Sequence, residues 1–350
     1  MPLQQAAGQQ TNNIGMPVTE VGRRVSELNV SIVVFDPGVS TDPLAHSQQQ
    51  VFPNIREVEA LLLPFMLRET LVETNEWGAV RIVPVPEVAA ELLVSGEIIR
   101  SDGNSLELWV RAVDASGQIW LDDRYVSIVP IRTAQSDTKS DSSAYQGIFD
   151  SIAEDLRLVR SGYDELVLSE ILEISFLRYA EQLAPSVFEG YLDRTLDGLF
   201  TIQRLPAEND PMLGRIERIR QSEYVFIDTI DEKFQDLHKE IESIYDLWLD
   251  YRYQVAQYEH NELARVRNTR SNAPRGSYDA IRNLYDNYSW ARMQEQRRDG
   301  RAKAFDNEVG PTVREMRSRV AELEDWLEQQ YTEWRTLLSE LFFLETGLRE

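Results

Sequence analysis

The chain has no cysteine among its 350 residues, which excludes disulfides, cysteine-ligated zinc, iron–sulfur clusters and a thiol nucleophile. Histidine is scarce too: His46, His238 and His260 are the only imidazoles, too few for most metal and triad chemistry. Basic residues are outnumbered, 36 against 59 acidic ones, for a formal charge of −23. A charge of that sign repels phosphate backbones and anionic headgroups, and no run of as many as about five consecutive basic residues offsets it. No uninterrupted apolar run approaches the roughly 18 residues of a membrane-spanning helix. The opening MPLQQAAGQQTNNIG lacks the charged and apolar regions of a signal peptide. The compartment is therefore either the cytoplasm or, for a mature exported chain, the cell envelope.

What the sequence does contain is divided unevenly in pattern but evenly in charge. Residues 1–150 carry 10 basic against 20 acidic side chains and residues 151–350 carry 26 against 39, so neither half is a charged tail. Residues 1–26 are polar and read as a flexible N-terminal tether or a frayed terminus. Residues 27–132 read as an α+β domain. The β-branched run Val30, Ile32, Val33, Val34 stops at Asp36-Pro37-Gly38, and Val58, Leu61, Leu62, Phe65 and Met66 then recur at helical spacing. Turn chemistry at Ser101-Asp102-Gly103-Asn104 and Asp114-Ala115-Ser116-Gly117 divides the following segment into three antiparallel strands. The predicted order is β-α-β-β-β-β, a sandwich-like domain.

Residues 133–144 have a linker's composition, and residues 145–350 read as an all-α domain with long helices at about 211–270 and 311–344 and a further helix near 277–306. The first long helix repeats Ile227, Phe234, Ile241, Trp248 and Val255 at one heptad position and Ile230, Leu237, Ile244, Tyr251 and Tyr258 at the other. The last repeats Val313, Val320, Leu327, Trp334 and Leu341, with Met316, Leu323, Gln330, Leu337 and Leu344. This coiled-coil-like seam closes either within one chain, as an antiparallel hairpin, or between chains in a homo-oligomer. The return helix in the same chain favours the first.

Candidate site residues are few. Asp210-Pro211 reads as an N-cap followed by a first helical proline. Arg204, Glu208, Arg215, Arg218 and Arg220 gather around it in sequence, as an ion-paired corner or, alternatively, an anion pocket. Asp228, Glu232 and Asp236 share a helix face at i, i+4, i+8, either solvated or able to meet a cation. No phosphate-binding glycine loop, nucleophile elbow or Glu-x-x-His pair is present, so no catalytic residue, metal or cofactor is assigned. Trp109 and Trp120 are the contact anchors if they stand exposed on the sheet.

Two stretches carry a resemblance. NVSIVVFDPGV, REVEALLLPFMLRETLVETNEWGAVRIVP and LLVSGEIIRSDGNSLELWVRAVDASGQIWLDDRY are similar to the N-terminal α+β domain of bacterial envelope lipoproteins, as in TolB and the curli-secretion lipoprotein. RLPAENDPMLGRIERIRQSEYVFIDTIDEKF resembles the helical half of proteobacterial outer-membrane lipoproteins of unassigned activity. The resemblance implies a periplasmic, outer-membrane-tethered accessory or scaffold that binds a protein partner of the envelope. The lipid-bearing cysteine of that pattern is missing. Two alternatives remain: an enzyme using Asp228, Glu232 or Glu208 on a carbohydrate or cationic ligand between the halves, and a cytoplasmic coiled-coil adaptor.

Overall fold

A computed structural model describes residues 27–39, 53–128, 145–207, 210–270 and 310–347. The predicted linker at 133–144, the tether at 1–26 and the helix near 277–306 lie outside the described residues. The chain is α+β, as its patterning implies. Strand β1 (Val30–Val33) leads to helix α1 (Pro53–Thr74) and β2 (Val80–Val83), and three ten-residue strands follow: β3 (Leu92–Ser101), β4 (Ser105–Asp114) and β5 (Ile119–Ile128). They form one five-stranded sheet in the order β2-β1-β3-β4-β5. β1 runs parallel to both neighbours, whereas β3, β4 and β5 are antiparallel.

Helix α1 survives an internal proline by putting the resulting loose end to use. Pro64 has no amide to donate to the Ala60 carbonyl four residues back. That carbonyl instead accepts the Phe35 amide just beyond β1, at 2.9 Å. The interruption thus ties the helix to the strand it covers.

Helices α2 (Gln146–Ser161), α3 (Glu165–Leu183), the single turn α4 (Pro185–Phe188), α5 (Pro211–Arg270) and α6 (Gly310–Thr346) make up the rest, with a hairpin of β6 (Leu192–Arg194) and β7 (Phe200–Ile202) before α5. The hairpin's strands are three residues each, too short for alternation to reveal them in the sequence. The sheet and the helices share a core in which Leu62, Ile82 and Val110 meet Ile152, Ile227, Trp248 and Leu327, and a second cluster of Phe176, Leu177, Phe188, Ile216, Leu338 and Phe342 joins α3, α4 and the adjoining ends of α5 and α6.

α5 and α6 pack antiparallel within the chain, shown by Arg218 with Glu345, Glu223 with Arg335 and Phe226 stacked on Trp334 at 5.1 Å. Ile227, Ile241 and Trp248 of the predicted seam are buried, as are Val320 and Leu327, while Trp334 is half-buried; the Phe234 side chain lies outside the described residues. The second predicted position on α6 leaves the seam in its C-terminal half, and the Met316 and Leu323 side chains lie outside the described residues. Leu337 and Leu344 are exposed, Gln330 is half-buried, and Tyr331, Leu338 and Phe342 are buried instead. Leu341, from the first predicted position, is exposed as well. From Tyr331 onward the buried face is therefore rotated by one residue from the heptad expectation, because α6 packs on α1 as well as α5 and its C-terminal half enters a cluster with α3 and α4.

α5 also seals the sheet's β2 edge. The Ile82 amide, which has no strand partner on that side, donates to Asp231 Oδ1 (3.4 Å), and Arg68 pairs with the same carboxylate at 2.6 Å. Arg81 forks onto Asp228 (2.6 and 3.4 Å). A free strand edge is a template for unwanted pairing, and a helix that supplies an acceptor closes it.

Candidate partner-binding surface

The two halves of the sheet are covered differently. β1 and β2 are buried at every residue, as parallel strands usually are. β3 and β4 alternate, burying Leu92, Val94 and Ile98 with Leu106, Leu108, Val110 and Ala112, while Glu97, Trp109 and Arg111 stay half-buried on the opposite face. Among the described residues no helix packs over that opposite face of the antiparallel half.

Trp109 sits at its centre. The strand register places it between Glu97 on β3 and Arg124 on β5. Its indole Nε1 donates to Asp122 (2.9 Å), Arg124 reaches Glu107 at 3.5 Å, and Arg111 lies 4.0 Å from Asp122. A tryptophan ringed by charges of both signs is the composition of an interface anchor with a polar rim. Exposed Val126 and Ile128 extend the surface along β5. Trp120 is not part of it. The ladder steps from Ala112–Leu121 to Val113–Ile119, so Trp120 is the extra residue of a β-bulge. It turns inward, donates to Asp114 Oδ2 (2.8 Å) and packs near Trp77 and Tyr163.

The cluster expected around the start of α5 does not converge. Asp210 caps the helix, accepting from the Met212 amide at 2.9 Å. Arg204 stacks on Tyr191 (4.1 Å), Arg218 runs to Glu345 (3.6 Å), Arg215 is half-buried, and Glu208 lies outside the described residues. These side chains leave in separate directions, so they enclose no anion pocket. The Asp228, Glu232, Asp236 row is exposed along its length, a solvated face on which Asp228 pairs with Arg81 and Asp236 lies 3.9 Å from Lys239.

A polar junction missed in the sequence lies between the β2–β3 loop, α3, α5 and α6. Arg220 is buried there, donating to Ser175 Oγ (2.7 Å) and 3.6 Å from Glu91, which in turn accepts from the Asn29 amide (2.6 Å). The Tyr331 hydroxyl donates to Glu223 (2.9 Å) and lies 3.5 Å from Glu87, which also accepts from Ser31 Oγ at 2.9 Å. Burial, and then the nearby charge of Glu223, hold the Glu87 carboxyl above the usual carboxylate range. Glu87, Arg220, Glu223 and Tyr331 line a recess of about 20 Å3, the room of a single water, with Tyr179 and Tyr224. The sequence signal was Arg220 itself, whose partners 45 and 129 residues away no local pattern connects. Among the described residues no group of three or more His, Asp or Glu is placed to hold a metal ion, and no helix is long and apolar enough to cross a membrane.

Comparison with protein-family models and with curated proteins gave no match. Among solved structures the chain is similar to a PelC dodecamer from Paraburkholderia phytofirmans. The likeness has 16% identity and a TM-score of 0.24, and covers 37% of this chain and 89% of that one.

Proposed function

We propose that the chain is a non-enzymatic accessory or scaffold protein whose open sheet face docks a protein partner. The observation that carries this reading is the asymmetry of the sheet. Its β2 edge and parallel half are sealed by helices, whereas the antiparallel half presents Trp109 in a ring of charge. The α5–α6 hairpin is the rigid arm that holds this face in position. Its resemblance to envelope lipoproteins supports a periplasmic, outer-membrane-associated site of action, and the partner is then an envelope protein. The test is affinity capture from the native host with wild type, Trp109→Ala and Arg124→Glu. A specific partner lost with both substitutions, while the circular dichroism spectrum is unchanged, supports the reading; the same partner retained by both variants overturns it. Fractionation of the native gene product tests the compartment separately, and recovery in the cytosolic fraction contradicts the envelope assignment.

A further inference from the structure

Glu59 on α1 has no solvent-exposed surface. Its Oε1 accepts from the hydroxyls of Ser101, at the end of β3, and of Tyr245 on α5 (2.8 Å). Its Oε2 has no hydrogen-bond partner, and neither has the buried Tyr145 hydroxyl at the entry to α2. The charged groups facing it are engaged elsewhere. Arg56 on α1 donates to the carbonyls of Ile98 (2.5 Å) and Ile99 (3.3 Å). Asp102, in the β3–β4 turn, holds the Asn104 and Ser105 amides and Arg100. Arg252 on α5 donates to the Asp102 carbonyl at 2.8 Å. The site accommodates a neutral carboxylic acid and penalises a carboxylate, which lacks water and has donors on one oxygen alone.

This junction is where α5 is fastened to the end of the sheet. Tyr245 bonds to Glu59, Arg252 to the β3–β4 turn, and Trp248 and Arg252 lie against Gly103. We propose that Glu59 is a proton-operated latch for the long helix: the protonated carboxyl holds the 245–252 segment against the sheet, and its ionisation loosens that attachment. Burial raises the carboxyl to about 7, while a solvated glutamate titrates near 4.5, so the latch slackens as pH rises between those values. His238, on the same helix and stacked on Phe65, titrates in the opposite sense and has to be separated from it.

The test is amide hydrogen exchange of residues 245–252 in the full chain, corrected for intrinsic exchange, between pH 5 and pH 7. One proton released on opening makes the opening constant climb up to tenfold per pH unit. The ratio of the wild-type opening constant to that of Glu59→Gln is expected to rise by about 40-fold over this range. His238→Gln, with the opposing imidazole removed, is expected to show the same rise by itself. The two variants are independent readings, so the test survives if one of them does not fold. A ratio constant within about threefold, or a flat profile in His238→Gln, overturns the proposal.

Discussion

At the residue scale, two buried titratable groups act in opposition. Burial, and then the charge of Lys239, lower His238 to about 4 from 6.5. The unfolded chain therefore binds a proton that the folded chain refuses between those values. His238 contributes stability above pH 6.5, and this is lost as pH falls through 4. Glu59, raised to about 7 from 4.5, contributes stability below pH 4.5 that is lost as pH rises through 7. Each shift of about 2.5 units corresponds to roughly 3 kcal/mol. Denaturation across this range is expected to give a wild-type minus His238→Gln difference that grows with pH, and a wild-type minus Glu59→Gln difference that shrinks. The junction arginine carries a third prediction. Arg220→Met leaves Glu91 and Ser175 without their cationic partner inside the protein and is expected to cost about 3–5 kcal/mol in denaturant unfolding. A cost below about 1 kcal/mol means the junction is solvated. The turn glycine is a fourth. Gly103 has φ +82°, and a Cβ there meets the Arg252 side chain at 2.4 Å, so Gly103→Ala is expected to lose about 2 kcal/mol. Turn chemistry named this residue in the sequence; nothing local announced that α5 crosses over it.

At the scale of the element, period and punctuation were legible and facing was not. The turns at Gly103 and Gly117 and the Asp210-Pro211 start of α5 follow from local chemistry, and the order of elements along the chain up to β5 follows from the patterning. Which side of α6 goes inward depends on what it meets, and a heptad count assumes a single partner helix. α6 meets α3 and α4 as well, so Leu338 and Phe342 are buried where the count points to Leu337 and Leu344. The same limit applies to Trp120, which a one-residue bulge turns to the other side. Alanine substitution separates the two faces. Leu338→Ala is expected to cost about 2–5 kcal/mol by opening a cavity, and Leu344→Ala less than about 0.5 kcal/mol. Equal costs contradict the rotated face.

At the scale of the whole molecule, the acidic balance and the missing cysteine exclude classes of chemistry but name no partner. The polar junction was illegible because it joins Asn29, Glu91, Ser175, Arg220 and Tyr331, residues from five elements or their connections. The open face was half legible. Alternation in β4 put Trp109 on a face of its own, and only the assembled sheet reveals that the helices stop short of it. The most direct measurement is photo-crosslinking in the native host from a photoreactive residue at Val126, exposed on the same face as Trp109, with the fully exposed Leu196 of the β6–β7 hairpin as the control. The account predicts one discrete adduct from position 126, abolished by Trp109→Ala and by Arg124→Glu and absent from position 196. No adduct from position 126, or the same adducts from both positions, contradicts it.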